Sequence, residues 1–159
     1  MMKIRKATHE DILDIQQVAH ITWHTTYERT MRPDTLANIL AEFYSEESLA
    51  SSLNNDKTIL LVAELEGCIV GFAQALPHPC SGYEVTRIYI LPSYQRQGIG
   101  AHLLAELSQA LSGQCLWAIV EKDNQPALNF YQKHGFVQRR ELQLPLFGET
   151  LPFVELTKQ

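Results

Sequence analysis

The stretch from Val85 to Leu104, VTRIYILPSYQRQGIGAHLL, constrains the fold more than any other part of this chain. A β-branched and aromatic run stops at Leu91-Pro92, crosses Gly98 and Gly100, and passes into leucines at helical spacing. These residue types predict a strand from about Glu84 to Leu91, a loop, and a helix beginning near Gly100. Glycine adopts backbone conformations closed to other residues, and the first turn of a helix carries amides without an internal acceptor. The segment therefore reads as an anion-binding turn suited to phosphate.

Three other readings compete for the same glycines. A glycine pair before a helix also occurs as a plain loop. A P-loop needs G-x-x-x-x-G-K followed by Ser or Thr, and no Gly-Lys occurs in the chain. The dinucleotide fingerprint has its first two glycines at Gly98 and Gly100 and an acid, Glu121, about 20 residues on. Its third glycine position is Leu103, and the predicted strand ends too far upstream.

Around this core the elements follow in order. Lys3–Ala7 alternates like an edge strand, and Thr8 with Asp11 resembles a capping box opening a helix on Ile12, Leu13, Ile15, Val18 and Ala19. A bend is expected around Trp23–Tyr27, followed by a helix with Pro33 in its first turn. Ser45 with Glu46 and Glu47 opens a turn or short helix that ends by Asn54-Asn55-Asp56. Thr58–Leu65 and Cys68–Ala75, joined by Glu66-Gly67, read as a hairpin. The Gly100 helix runs to Gly113, and Cys115–Val120 is a near-continuous apolar strand of the kind a parallel neighbour favours. Pro126 starts a helix closed by Gly135, and Phe136–Leu142 and Leu151–Thr157 are strands around a loop with Pro145 and Gly148.

That order predicts one mixed α/β domain over residues 1–159. Its sheet is largely antiparallel, of about seven strands with a central parallel pair, flanked by about four helices. A net charge of -5 with 13 Lys plus Arg argues against a nucleic-acid partner. No apolar run reaches the ~18 residues of a membrane span, and no signal-peptide pattern follows Met1, so the expected location is cytoplasmic. Cys68, Cys80 and Cys115 have no C-x-x-C spacing and read as buried thiols. His20 and His24 have the i, i+4 spacing of metal ligands without a third ligand or an HExxH glutamate, so no metal is expected.

Gln95-Arg96-Gln97-Gly98-Ile99-Gly100 resembles the Q/R-x-x-G-x-G/A pyrophosphate loop of the GNAT superfamily of acyl-CoA N-acyltransferases, and Asn124–Phe136 is similar to its second motif, N-x-x-A-x-x-F-Y-x-x-x-G-F. The resemblance is strong from Glu84 to Phe136 and implies coenzyme A or acetyl-CoA as the cofactor. It places Ile88, Tyr89, Ile90, Gln95, Arg96, Gln97, Gly98, Ile99, Gly100, Ala101, Asn124, Ala127 and Tyr131 around that cofactor, and it implies that the two central parallel strands part. The residue types make sense of this. Amides of Gln97–Gly100 suit a pyrophosphate, Arg96 adds a charge, and the amide-bearing pantetheine arm can pair with backbone near Ile88–Ile90 like an added strand.

An alkylammonium with a pKa near 10.4 is neutral in only about one molecule in a few thousand at pH 7, so acyl transfer to it needs a base. Glu84 is the candidate base, with Thr86, Ile88 and Ile90 on its face by the strand period; a solvent-exposed strand-end carboxylate is the alternative. The resemblance assigns Tyr131 to the general acid at the thiolate and Asn124 to pantetheine, the two sharing a face if the helix begins at Asn124. Tyr131 as a plain core aromatic stays open. Trp23 and Tyr27, which with Phe43-Tyr44-Ser45 are similar to a spermine/spermidine acetyltransferase branch, line an acceptor pocket or simply pack. The function expected is transfer of an acetyl group to a small amine or polyamine by direct attack. A protein N-terminal or lysine acetyltransferase, with a peptide as partner, and a non-catalytic acyl-CoA-binding module are the alternatives. A homodimer is left open.

Overall fold

In the computed structural model, which describes residues 1–159, seven strands form one sheet. They are β1 (Met2–Lys6), β2 (Ile59–Leu65), β3 (Cys68–Pro77), β4 (Tyr83–Ile90), β5 (Leu116–Glu121), β6 (Val137–Leu146) and β7 (Glu149–Lys158), in the spatial order β1-β2-β3-β4-β5-β7-β6. Every neighbouring pair is antiparallel except β4 with β5. The helices are α1 (Ile12–Tyr27), α2 (Pro33–Phe43), α3 (Glu46–Asn54), α4 (Ile99–Ala110) and α5 (Gln125–Lys133).

The local signals work as chemistry requires. Thr8 and Asp11 close a capping box, Pro33 occupies the first turn of α2, and Ser45 accepts the amide of Ser48 at 3.1 Å to cap α3. Glu66 and Gly67 both take positive φ (51° and 83°), the two-residue turn whose twist matches the β2–β3 hairpin. One core packs α4 and α5 on the sheet through Leu103, Leu104, Leu107, Leu128 and Tyr131 against Val85, Leu116, Ala118 and Val120. The other packs α1, α2 and α3 on the opposite face through Ile15, Trp23, Tyr27, Leu36, Ile39 and Leu49 against Leu60, Val62 and Phe72.

Five expectations change. Cys68 and Cys80, read as buried thiols, are exposed, since Cys68 opens β3 beside the hairpin turn and Cys80 lies in the β3–β4 loop, while Cys115 is half-buried. No bend falls at Trp23–Tyr27: α1 continues to Tyr27, because Trp23 and Tyr27 pack against each other at a tilt one turn apart on its buried face (centroids 4.7 Å) and packing outweighs the weak helix propensity of Thr25 and Thr26. The last loop shrinks to Phe147-Gly148, and β6 runs through Pro145, which is tolerated because β6 is an edge strand. β5 is not buried on both faces: Leu116, Ala118 and Val120 are buried while Trp117, Ile119 and Glu121 are half-exposed. Finally, Gln74 faces Arg87 but Ala75 faces Val85, so Thr86 is an extra residue in β4. That bulge puts Val85, Ile88 and Ile90 on the α4 side and leaves Glu84 on the other face, not beside Ile88 as the two-residue period predicts.

No helix is long and apolar enough to cross a membrane. The β4–β5 junction is held where Tyr83 donates to the Cys115 carbonyl at 2.9 Å, beside Gly82 at φ 71°. A Cβ at Gly82 would lie 2.0 Å from that carbonyl oxygen, whereas one at Gly67 (φ 83°) would meet nothing within 4 Å. Gly67→Ala should therefore cost only the left-handed strain, about 1–2 kcal/mol, and Gly82→Ala clearly more; equal shifts in the urea midpoint would contradict this account of the junction.

Candidate active site

β4 and β5 pair only at Tyr83 with Leu116 and Glu84 with Trp117, and beyond that they part. Leu91 donates its amide to Val70 (2.9 Å), so Ile90 and Gly71 face each other with their own ladder groups turned outward. By alternation Ile88 and Ile90 aim N–H and C=O groups into the gap. The Ile90 carbonyl takes the side-chain amide of Gln95 at 3.0 Å, which leaves the Ile88 groups and the Ile90 N–H for a ligand lying along the strand.

Tyr89 departs from the expected cofactor set. Its backbone serves the β3 ladder, and its ring is on the opposite face beside Phe72 (5.7 Å), Trp23 (6.0 Å) and Tyr44 (6.3 Å).

At the mouth of the gap the chain makes a 3₁₀ turn over Pro92–Tyr94 and then the exposed loop Gln95–Gly98. Arg96 (φ 65°) and Gly98 (φ 82°) are both left-handed. The first bond into α4 runs from the His102 amide to Gly98 O at 3.0 Å, so the amides of Ile99, Gly100 and Ala101 have no intrahelical acceptor. Gly98 is needed for its conformation, since a Cβ there meets nothing within 4 Å. At Gly100 a Cβ would sit 3.2 Å from the Phe130 ring of α5, close enough that the ring would have to give by a few tenths of an ångström. Unsatisfied amides at a helix start, followed by free ladder groups along an open strand edge, fit a diphosphate carrying an extended amide-containing arm.

Tyr131 is 5% exposed between Phe130 and Phe136 (5.4 and 5.0 Å). Its ring is core, while its hydroxyl has no hydrogen-bond partner in the protein; burial, then the charges of Glu84 and Glu121, push its pKa up, so it keeps its proton at neutral pH. Glu84 is half-buried at the closed end of the gap, and burial followed by the charge of Glu155 raises its pKa. Glu155 is itself bonded by Arg140 at 3.0 Å.

Sequence reasoning weighed Glu121 only as a ribose-binding acid, yet it lies at the centre of this site. Tyr27 donates its hydroxyl to Glu121 Oε2, and Asn124 Nδ2 donates to the Tyr27 oxygen at 2.9 Å. Asn124 lies just outside α5 as its N-cap, its Oδ1 accepting from Ala127 at 3.2 Å. It is not on the helix face with Tyr131, and one N–H of its amide remains for a ligand. The signal that could have pointed to Glu121 is a carboxylate closing an otherwise apolar strand immediately before a cap.

A model of the acetyltransferase (GNAT) family matches residues 15–136. The chain belongs to that family. An uncharacterized N-acetyltransferase of Bacillus subtilis, YuaI, is 32% identical over 98% of this chain and 92% of its own length. A spermidine N(1)-acetyltransferase of Thermoplasma acidophilum is 27% identical over 85% of this chain and 88% of its own. Among solved structures, PaiA N-acetyltransferase from T. acidophilum in complex with coenzyme A covers 100% of this chain and 99% of that one with a TM-score of 0.83 at 23% identity. The protein is thus an acyltransferase with acetyl-CoA as its cofactor, and the parted strands that the GNAT resemblance implied are present.

Glu121 is buried enough that its pKa is raised, the Tyr27 hydrogen bond offsetting only part of the burial. A carboxyl that holds its proton more firmly when folded costs no stability below its ordinary value of 4.5 and increasingly more as pH rises through the folded value. Glu121→Gln should therefore be more stable than the parent in the absence of ligands, with a gap in urea midpoint that opens as pH climbs from 4.5 toward neutrality. A gap that does not change with pH would refute the burial argument.

Proposed function

We propose that this enzyme acetylates a small primary amine, a polyamine being favoured, with both substrates bound together and the amine attacking directly. The observation that carries this reading is the character of the gap's acceptor side: Glu84 and Glu121 with the rings of Trp23 and Tyr27, a set that suits a cation. The spermidine acetyltransferase relative supports the same acceptor class. Acetyl-CoA, when bound, supplies the thioester carbonyl that the amine nitrogen attacks.

The chain's own groups do the rest. The amides of Ile99, Gly100 and Ala101, with Gln97, Gly98 and Arg96 beside them, hold the pyrophosphate; Ile88 and Ile90 hold the arm. Glu84 removes a proton from the incoming ammonium, directly or through water, and its raised pKa brings it nearer the working pH of a base. Without that help, reaching the free amine at pH 7 costs about 4–5 kcal/mol. Tyr131, still protonated, donates at the departing sulfur. A covalent acyl-cysteine route has no support: Cys68 and Cys80 are exposed with no base bonded to either thiol, and Cys115 precedes the closed end of the gap with its thiol 3.2 Å from Thr157 Oγ1.

Incubation with acetyl-CoA and a panel of amines, followed by thiol release, tests the reading; absence of CoA binding by calorimetry would sink it. Acetylation of peptides alone would turn the assignment to a protein acetyltransferase, and CoA binding without turnover to a regulatory module. Tyr131→Phe should lower kcat by about a hundredfold with little loss of CoA affinity, and an unchanged rate would remove Tyr131 from the acid role.

A further inference from the structure

Glu121 is a half-buried carboxylate with no cation beside it. The ion pairs of the protein join Arg5 to Asp11 and Glu64, Arg32 to Asp34, Lys122 to Glu141 and Arg140 to Glu155, and none includes it. Only the Tyr27 hydroxyl meets its Oε2. A carboxylate withdrawn from water without a counter-ion is unfavourable unless a ligand supplies the charge.

The surroundings suit a cation. Trp23 packs at a tilt against Tyr27 at 4.7 Å and lies 6.0 Å from both Tyr44 and Tyr89, and ring faces attract cations; the Arg87 guanidinium already lies 4.7 Å over the Tyr44 ring, so Tyr44 closes the wall by packing and the faces of Trp23, Tyr27 and Tyr89 are the ones without a cation. Burial pushes up the pKa of both Tyr44 and Tyr89, and the charge of Glu121 adds to it.

Glu121 and the candidate base are also well separated. Glu84 pairs with Trp117, and Glu121 is four residues further along β5, which places the two carboxylates' backbones about 13 Å apart along the strand direction. One nitrogen cannot be served by both. We propose that Glu121, walled by Tyr27, Trp23, Tyr44 and Tyr89, binds a second ammonium of the acceptor that is not acetylated, which makes linear polyamines the substrate class. This rests on the amine-acetyltransferase reading for the role of Glu84, but the binding site can be tested without turnover.

The test is calorimetric titration of spermidine, and separately of n-butylamine, into the CoA-loaded protein. The parent should bind spermidine more tightly, and Glu121→Gln should weaken spermidine by about tenfold while weakening butylamine much less, as expected for loss of one charge-assisted contact. Glu121→Asp should recover part of the loss. CoA binding in the same experiment reports a folded variant; if Glu121→Gln fails that check, Trp23→Phe, which removes part of the ring wall, should show the same selective loss. Equal affinity of the parent for the two amines, or equal weakening of both by the variants, would overturn the proposal. Selective spermidine binding with no acetylated product would instead defeat the enzymatic reading and leave the subsite standing.

Discussion

The structure depends on a ladder that stops after two residues. β4 and β5 meet at Tyr83–Leu116 and Glu84–Trp117 and then diverge, although each strand continues for several residues. Buried backbone groups are rarely left unpaired, so a strand edge opened in the middle of a sheet is a place where something else must bond. β5 pairs along its full length with β7, from Leu116–Lys158 to Glu121–Phe153, and thereby belongs to a C-terminal unit of β5, β7 and β6. β4 belongs with β1, β2 and β3. The sheet is two antiparallel halves joined at a two-residue seam, with an open strand edge along the gap between them.

Two local devices keep the gap in shape. Gly82 lets the chain pass against the Cys115 carbonyl, which ties the halves together at one end. At the other, Gly100 lets α4 approach Phe130 of α5, so the helix whose free amides face the mouth is packed against the helix that carries Tyr131. The bulge at Thr86 then decides which groups look where: Ile88 and Ile90 turn to the α4 side and Glu84 to the face covered by α1 and α2.

Charge is handled in two contrasting ways. Arg5 receives Asp11 and Glu64 at 2.8–2.9 Å, the Arg5 guanidinium holds the Asp11 carboxyl below its usual range, and this triad fastens the start of α1 to β1 and β2. Glu84 and Glu121 have no such partner, and both have raised pKa values because burial is not compensated. Acids buried without compensation weaken the free protein, a common exchange of stability for function.

Much of this was legible from residues alone because the signals are short-range. Thr8–Asp11, Pro33 and Ser45 cap or open helices through contacts within one turn, Glu66-Gly67 sets a hairpin through two φ angles, and the Gln95–Gly100 loop announces an anion site through glycine positions and a helix start. The full course of α1 was not legible, because Thr25 and Thr26 argue for a break that only the packing of Trp23 and Tyr27 overrules. Nor was the facing of Glu84, since a single extra residue at Thr86 inverts a two-residue period without changing composition. The sequence by itself determined most elements, their order and the glycine turn that opens α4, all of which follow from neighbours a few positions apart. The tertiary structure alone decided that Tyr27, 94 positions away, donates a hydrogen bond to Glu121, because that contact exists only once α1 has packed across the seam between the two halves of the sheet.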